Sequence, residues 1–156
     1  MADSDVIEVD VDLGGALKRL RGLRARSGNL APVMGTVAET IQSGVEDNFR
    51  REVGPGAKPW ADLAEETKEE RVREGKWPGP ILQRSGQLIA AIQPFSSPSE
   101  AGVSVQKTYA AIHQYGGTGD MPPGPAGIPP RPYLYLNSET QQEIEDDIAY
   151  YVEEGT

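Results

Sequence analysis

The sequence has no cysteine and a single histidine, His113, among its 156 residues. Without cysteine the chain can form neither a disulfide framework nor a thiolate metal site, which fits a reducing compartment. No apolar stretch approaches the roughly 18 residues that a membrane span requires. The first residues are acidic and lead into no apolar run, so we expect no signal peptide. These absences predict a protein that stays in the cytosol where it is made unless it leaves within an assembly.

The residues that catalysis or cofactor binding would need are also scarce. A hydrolytic triad requires a base beside a nucleophile and an orienting acid, and the sequence next to His113 offers neither. His113 and Asp120 alone would not make a metal site. Residues 116–119, Gly-Gly-Thr-Gly, resemble a phosphate cradle only superficially, because they open no helix. The glutamates of residues 65–70 stand beside Lys68, which favours ion pairing on a solvated helix. We predict no catalytic residue, no cofactor and no metal.

Charge, by contrast, is plentiful and segregated. The net charge is −9, residues 1–12 carry five acids and no base, and residues 136–156 carry seven acids and no base. The stretch between them holds 15 bases and 12 acids. Such a distribution suits ordered contacts between copies, in which unlike patches meet. Acidic ends that only keep the protein in solution are an equally good interpretation. Specific nucleic-acid binding is disfavoured, because phosphate neutralisation needs clustered bases with few acids nearby.

The composition predicts one domain preceded by an arm. Hydrophobic residues make up 37% of the chain, with 18 glycines and 13 prolines, which fits one modest core and many turns. Valines alternate with acids near the start, a pattern typical of a short strand or an extended arm. We therefore divide the chain into an acidic extended arm, residues 1–12, and a single α+β domain, residues 13–156. A Gly/Pro-rich loop at residues 116–130 interrupts that domain.

A basic amphipathic helix is predicted between residues 13 and 27. Three leucines recur there at helical spacing, and the opposite face carries bases that include Arg21 and Arg24. Three leucines offer too little apolar area for a membrane surface. Packing of this helix on its own subunit or on a neighbouring subunit is the favoured interpretation.

Three further helices are predicted from periodicity and capping signals. The first covers residues 30–51, with one continuous apolar stripe. The second covers residues 62–74 and is very polar, with three inward candidates, Leu63, Thr67 and Val72. The last follows Ser138, which we expect to be its N-cap, with Gln141 completing a capping box.

Strands are predicted between these helices. Residues 88–95 and 101–106 read as a hairpin, residues 109–114 as a short helix, and residues 133–136 as a short strand. The element order predicts an α+β fold. Its small antiparallel sheet packs against a long helix of the N-terminal half and against a C-terminal helix.

His113 and Arg131 stand out in this pattern. A histidine next to Tyr109 and Tyr115 is usually half-buried and hydrogen-bonded to backbone, and an interface position is the alternative. Arg131 lies between two prolines that fix its backbone, so that little entropy is lost when its guanidinium is presented to a partner. A structural salt bridge to a helix or to the acidic C-terminal residues is an equal alternative.

An ordered series of motifs over about residues 30–152 is similar to the phage virion morphogenesis family, the tail-completion group. The matching pieces are Phe49, residues 54–60 up to Trp60, Leu63, Ile81-Leu82, Ser85-Gly86-Gln87-Leu88, Tyr109-Ala110, His113-Gln114, Gly116 and Pro130-Arg131-Pro132-Tyr133-Leu134. The acidic N-terminus and the long Gly/Pro loop depart from the family's pattern.

The resemblance implies a structural virion protein that completes the tail or joins it to the head, without catalysis. It further implies a ring, with six copies as in tail tubes, placed at the head–tail junction or tail end after assembly in the host cytoplasm. Expected partners are other copies and neighbouring neck, tail-tube or portal-proximal proteins, with neither a membrane nor a specific nucleic acid. The interface candidates are Arg131, Tyr109, His113, Gln114, Tyr115, Tyr133, Trp60, Trp77, Arg21 and Arg24.

Two alternatives stay open at this point. One is a head-morphogenesis accessory protein that is absent from the finished particle. The other is a particle-associated hydrolase, supported only by the carboxylate-rich helix and by His113. Substituting His113 and Glu66 separately would discriminate the hydrolase, because infectivity would be lost while particle assembly stayed normal.

Overall fold

The computed structural model describes residues 7–9, 28–117 and 127–154, and the elements named here are those of these residues. The helices are α1 Ala31–Arg51, α2 Glu65–Arg73, α3 Gln87–Ala90, α4 Ala110–Tyr115 and α5 Ser138–Glu154. The strands are β1 Ile7–Val9, β2 Val53–Gly54, β3 Lys58–Pro59, β4 Ile92–Ser96 and β5 Ala101–Val105. The predicted α+β class, with a small antiparallel sheet and helices from both halves of the chain, is confirmed.

Helix α1 is the central element of the described core. Pro32 fits its first turn, where the missing N–H costs no hydrogen bond. Glu52 is the C-cap of this helix: its N–H still donates to the Asn48 carbonyl at 2.9 Å, and its left-handed backbone (φ 53°) then turns the chain out of the helix. This confirms the predicted helix at residues 30–51. The inward face consists of Val33, Met34, Val37, Ala38, Ile41, Gly44, Val45, Asn48 and Phe49.

The main sheet has three antiparallel strands in the order β1-β5-β4. Val105 of the middle strand pairs with Ile7 on one side and with Ile92 on the other. Val103, Val105 and Ile92 are buried, and α1 packs against both β4 and β5. The predicted hairpin is therefore present, and its second strand is extended by β1. Strand β1 lies near the start of the chain, where the alternation of valines with acids predicted a short strand or an extended arm.

Helix α5 packs on α1 through a small contact residue. A Cβ atom on Gly44 of α1 would lie 2.7 Å from Thr140 Cγ2 and 2.9 Å from Thr140 Cβ, so only glycine lets the two helices approach this closely. Further along α5, Ile144 and Ile148 are buried against the core. The two helices thus bury their apolar faces against each other, while α1 also covers the sheet.

The predicted N-cap of α5 is wrong by one residue. Asn137, not Ser138, caps this helix: its Oδ1 accepts hydrogen bonds from Thr140 N (2.8 Å) and Thr140 Oγ1 (2.9 Å). Gln141 closes no capping box, since its side chain donates to the Leu136 carbonyl instead. The asparagine cap is favoured because its side chain also bonds Asn48 of α1 and so ties the helix start to the core.

Two predicted strands differ from the structure. Residues 133–136 form no strand, for a reason that lies in their side-chain partners, described below. The strand predicted at residues 88–95 begins only at Ile92, because Leu88 lies in the short helix α3. Gly86 precedes α3 with φ +72°, a conformation that glycine adopts without strain.

The polar helix α2 is shorter than predicted and turns a different face inward. Val72, an expected inward residue, is 56% exposed, whereas its neighbour Arg71 is 4% exposed. An apolar side chain is left in water here because the arginine reaches backbone carbonyls across the interior. The predicted loop at residues 54–60 contains β3, which pairs with β2 in a second, two-stranded sheet.

Several predictions lie outside the described residues. These are the basic helix at residues 13–27, including Arg21 and Arg24, and residues 118–126 of the Gly/Pro-rich loop. The division into an arm and a single domain also stays a prediction. None of the helices in the described ranges has the length and apolar character needed to span a membrane.

The contact between α1 and α5 yields a stability prediction. Gly44→Ala should lower the free energy of unfolding by about 1–3 kcal/mol, because the new methyl group forces the helices apart. Thr140 cannot rotate away cheaply, since its Cβ is itself too close and its hydroxyl is bonded to Asn137. Chemical denaturation measures the effect.

The matched control is Gly35→Ala on the same helix, where a Cβ would meet nothing within 4 Å. This substitution should stabilise the protein by up to about 1 kcal/mol through helix propensity. Equal effects of the two substitutions would contradict the tight helix contact.

Candidate functional site

Residues 130–137 pair with no neighbouring strand. Side chains from two helices provide the hydrogen bonds that a neighbouring strand would otherwise provide. Asn48 of α1, 1% exposed, donates through Nδ2 to the carbonyls of Tyr133 and Tyr135, both at 3.0 Å. Its Oδ1 accepts from Asn137 Nδ2 at 3.0 Å. Because buried backbone groups need hydrogen-bond partners, one asparagine here joins the long helix to the segment that leads into α5.

Gln114 of α4 holds the same segment from another direction. Its Oε1 accepts from Tyr133 N (3.0 Å) and Leu134 N (2.9 Å), and its Nε2 donates to the Leu134 carbonyl at 3.2 Å. The amide side chain therefore imitates an adjacent strand. This explains why residues with strand-like composition adopt no strand.

Arg131 is anchored in the interior through backbone carbonyls. Its Nε donates to the Ala61 carbonyl and its Nη2 to the Asp62 carbonyl, both at 2.8 Å, and its own N–H donates to the His113 carbonyl at 2.7 Å. The side chain is 5% exposed. Neither of the sequence-based alternatives describes these contacts: the guanidinium bonds neutral carbonyl oxygens and fixes the chain before α2.

Tyr133 joins the aromatic part of the core. It is fully buried, its ring centroid lies 5.0 Å from that of Phe49, and Phe49 meets Trp60 edge-on at 5.9 Å. The Tyr133 hydroxyl donates to the Ala110 carbonyl at 3.1 Å, and Trp60 Nε1 donates to the Pro132 carbonyl at 3.0 Å. Burial raises the pKa of Tyr133, so the phenol stays a neutral donor.

Arg131 and His113 also line a cleft of about 500 Å³ next to α2, α4 and residues 81–88. Apolar walls come from Leu82, Leu88 and Ile128, among others. The basic groups among the described lining residues are Arg71, Arg84, Arg131 and His113, and the acidic one is Glu66. Such a mixture of apolar walls and basic groups suits an anionic ligand that also carries apolar surface.

Arg71, like Arg131, is a buried arginine of the cleft. Its Nη1 donates to the Pro80 carbonyl at 2.7 Å and its Nη2 to the Ile81 carbonyl at 2.5 Å. Its Nε has no hydrogen-bond partner among the described residues. Burial lowers the pKa of Arg71, and the positive charge of Arg84 lowers it further.

His113 is half-buried, as predicted, and its ring contacts Tyr109 edge-on at 5.9 Å between centroids. The predicted hydrogen bond to backbone is not found at its Nδ1, for which no residue in the described ranges provides a partner. Burial lowers the pKa of His113, and the positive charge of Arg131 lowers it further. The imidazole is therefore mainly neutral near pH 7.

The remaining interface candidates lie in different environments. Tyr115 is 69% exposed, whereas Tyr109 is half-buried at the cleft. Trp77 is half-buried, with Lys68 Nζ 5.7 Å from its ring centroid. Trp60, Gln114, Tyr133 and Arg131 hold the fold through the contacts given above. For all ten candidates, contact with another subunit stays a prediction.

Two glutamates of α2, Glu65 and Glu70, form surface ion pairs. Lys68 Nζ lies 2.8 Å from both Asp62 Oδ2 and Glu65 Oε1, and Arg84 pairs with Glu70 and Glu74. These contacts agree with the ion-pairing interpretation of the charge run. Within the described residues, no group of three or more His, Asp or Glu side chains is arranged as a metal site.

Sequence reasoning missed Asn48 and Arg71. Asn48 was detectable, because it is a polar residue at an inward position of a helix whose periodicity was clear. Arg71 carried no such signal: it stands within a run of charges, and only the packing of α2 against residues 80 and 81 buries it.

Comparison with known proteins places these features in a wider group. The phage virion morphogenesis family matches residues 11–153. The chain is 39% identical over 113 residues to the putative capsid assembly protein G of Escherichia phage Mu, covering 72% of each chain. It is 33% identical over 150 residues to the Mu-like prophage FluMu G protein 2 of Haemophilus influenzae, covering 94% of this chain and 96% of that protein. No solved structure matches the chain.

The Asn48 contacts yield a prediction. Asn48→Leu should lower the free energy of unfolding by about 2–3 kcal/mol, because two carbonyls and one amide lose their partner in the interior. Urea denaturation measures the loss. The control Gln141→Leu removes one hydrogen bond at an exposed position, where water replaces it, and should change stability little.

Arg131 yields a second prediction. Arg131→Lys keeps the charge but cannot hold two adjacent carbonyls with a planar fork, so the free energy of unfolding should fall by about 1–3 kcal/mol. Arg73→Lys, at an exposed position, is the control. Unchanged stability combined with lost assembly would instead identify Arg131 as a contact to a partner.

Proposed function

Because the chain belongs to the phage virion morphogenesis family, we propose that it completes the tail and joins it to the head as a ring of identical subunits. Its role in phage virion assembly follows from family membership. The finer assignment, a six-copy ring at the head–tail junction that acts without catalysis, is what the resemblance to the family implies. The contact between neighbouring subunits in that ring is argued from the surface of α5.

The outer face of α5 carries an acidic stripe. Its members follow one another at steps of four and three residues, which places them on one side of the helix. They are Glu139, Glu143, Asp146, Tyr150 and Glu153. All five are exposed, and Tyr150 is 63% exposed. Glu139, at one end of the stripe, is paired with Arg51 of α1 at 2.6 Å. Because α5 itself carries no basic residue, Glu143, Asp146 and Glu153 offer negative charge around a large aromatic side chain to whatever contacts the stripe.

The chain contains a segment of opposite character. Residues 13–27 carry five bases, Lys18, Arg19, Arg21, Arg24 and Arg26, and no acid. A contact between this segment of one copy and the acidic stripe of the next would join two different surfaces. Such head-to-tail contacts generate a ring when the rotation between subunits closes. This charge complementarity is the observation that carries the proposal.

The contacts of the described residues support a role in binding rather than in catalysis. Glu66 and His113, the pair that a hydrolase would use, do line the same cleft. Yet a general base must be oriented by a partner, and His113 Nδ1 finds none among the described residues. Arg131 and Gln114 of the same region bond backbone groups and hold the fold.

A second candidate function is assembly of the head rather than of the tail. It is favoured by one observation, the name of the phage Mu relative, a putative capsid assembly protein. The two candidates differ in the fate of the protein. Mass spectrometry of purified particles would find a tail-completion protein in the virion and would fail to find a transient head accessory.

The ring proposal predicts a charge-reversal effect. Glu143→Lys combined with Asp146→Lys should abolish oligomers measured by light scattering at low salt, because the stripe would then repel the basic segment. Phage made with this variant should yield separate heads and tails in electron micrographs. Adding Arg21→Glu and Arg24→Glu to the same chain should restore both oligomers and joined particles.

The matched control reverses two exposed acids elsewhere, Glu39→Lys and Glu100→Lys, for the same change in net charge. This control should assemble normally. Raising the salt concentration should weaken the native ring, since exposed charges are screened. A native chain that stays monomeric at low salt with tail tubes present would contradict the proposal.

A further inference from the structure

Helix α4 is joined to the segment that leads into α5 by hydrogen bonds from three of its residues. At the start of the helix, the Ala110 carbonyl accepts from the Tyr133 hydroxyl at 3.1 Å. Near its end, the Gln114 side chain bonds the backbone of the same segment. Between them, the His113 carbonyl accepts from the backbone N–H of Arg131 at 2.7 Å. A displacement of His113 would therefore disrupt the contact between the helix and this segment.

The imidazole of His113 lies in surroundings that suit only its neutral form. The ring is half-buried, Tyr109 contacts it edge-on, and its Nδ1 is buried without a partner among the described residues. A protonated histidine carries a hydrogen on both ring nitrogens. The Nδ1–H of a protonated His113 would thus be a buried donor without an acceptor, which destabilises the folded arrangement.

The charged groups around the ring also disfavour a second positive charge. Burial lowers the pKa of His113, and the positive charge of Arg131 lowers it further. Around the same cleft, α2 contributes Arg71 and Glu66, and the chain before α3 contributes Arg84. Glu66 is exposed, and no ion pair or hydrogen bond within the described residues joins it to His113. A proton on the imidazole would therefore add a cation to a side of the fold already rich in arginine.

We propose that His113 is a proton-sensitive contact: the neutral imidazole lets α4 pack against the segment that leads into α5, and the protonated imidazole releases the two from each other. The response is local, because the contacts of α1 with β4, β5 and α5 do not involve this histidine. Since α4 lines the cleft, its release would open the cleft in mild acid. This inference concerns the fold of a single chain and is independent of the ring.

The direction of the pH dependence follows from proton linkage. In a released α4 the histidine is exposed to water and binds a proton below about pH 6.5. In the packed form it binds the proton only at lower pH, because burial and Arg131 lower the pKa of His113. The released form therefore binds more protons in this range. The packed form is fully stable above about pH 6.5 and loses stability as the pH falls below that value.

NMR spectroscopy of the native chain tests the proposal directly. His113 is the single histidine, so its ring resonances report its protonation alone. The indole N–H of Trp60 donates to the Pro132 carbonyl at 3.0 Å and so reports on the segment. As the pH is lowered, His113 should titrate below about pH 6.5, and the Trp60 indole signal should move with the same midpoint. Trp77→Phe assigns the two indole signals of the chain.

Two variants separate the histidine from other titrating groups. His113→Gln removes the ring and keeps a polar side chain, so the Trp60 signal should stay in place over the same pH range. The matched control combines His113→Gln with Tyr115→His, which moves the histidine to a position of the same helix that is 69% exposed. That histidine should titrate near about pH 6.5 and leave the Trp60 signal unmoved. Backbone amide signals of α1 report that each variant is folded.

Three results would overturn the proposal. Titration of His113 at or above about pH 6.5 would mean that an acid such as Glu66 stabilises the cation. Equal movement of the Trp60 signal in the native chain and in His113→Gln would assign the effect to carboxylates. Loss of the α1 amide signals together with the Trp60 signal would show global unfolding instead of local release. None of these outcomes bears on the charge-reversal test of α5, so failure of one proposal is distinguishable from failure of the other.

Discussion

The described structure depends most on how the backbone of residues 130–137 finds its hydrogen bonds. This segment passes through the interior, and buried peptide groups without partners would destabilise it strongly. Asn48 supplies donors for two carbonyls, and Gln114 supplies both acceptor and donor for its neighbours. Two amide side chains from two helices therefore decide where the segment lies, and with it the start of α5.

The same segment sets the environment of the residues around it. Once Tyr133 is placed between Phe49 and the Ala110 carbonyl, Arg131 is directed towards the chain that precedes α2. On the helix that follows that chain, Arg71 donates to the carbonyls of residues 80 and 81. The same arginines that hold the loops in place also give the cleft its positive charge. Removing a single anchor should loosen both the core and the cleft.

Charges in this protein act in two physically different ways. The guanidinium groups of Arg71 and Arg131 are desolvated and hydrogen-bonded to carbonyls, so they fix loops with defined geometry. The acids of α5 and the pairs on α2 are exposed, where a single ion pair contributes at most about 1 kcal/mol. Exposed charges therefore matter for which surfaces meet, and buried ones for where the chain runs.

Much of this could be predicted from the sequence, and the boundary is a physical one. Local periodicity determined α1, the β4–β5 hairpin, the α+β class and the helix α5 with its buried apolar face, because these patterns depend on neighbours a few residues apart. The motif order identified the family. Only the tertiary structure decided that residues 133–136 form no strand, that Asn137 caps α5, and that Arg71 rather than Val72 is buried. Those outcomes depend on hydrogen bonds between residues far apart in sequence, such as Asn48 and Tyr133, which no local pattern encodes.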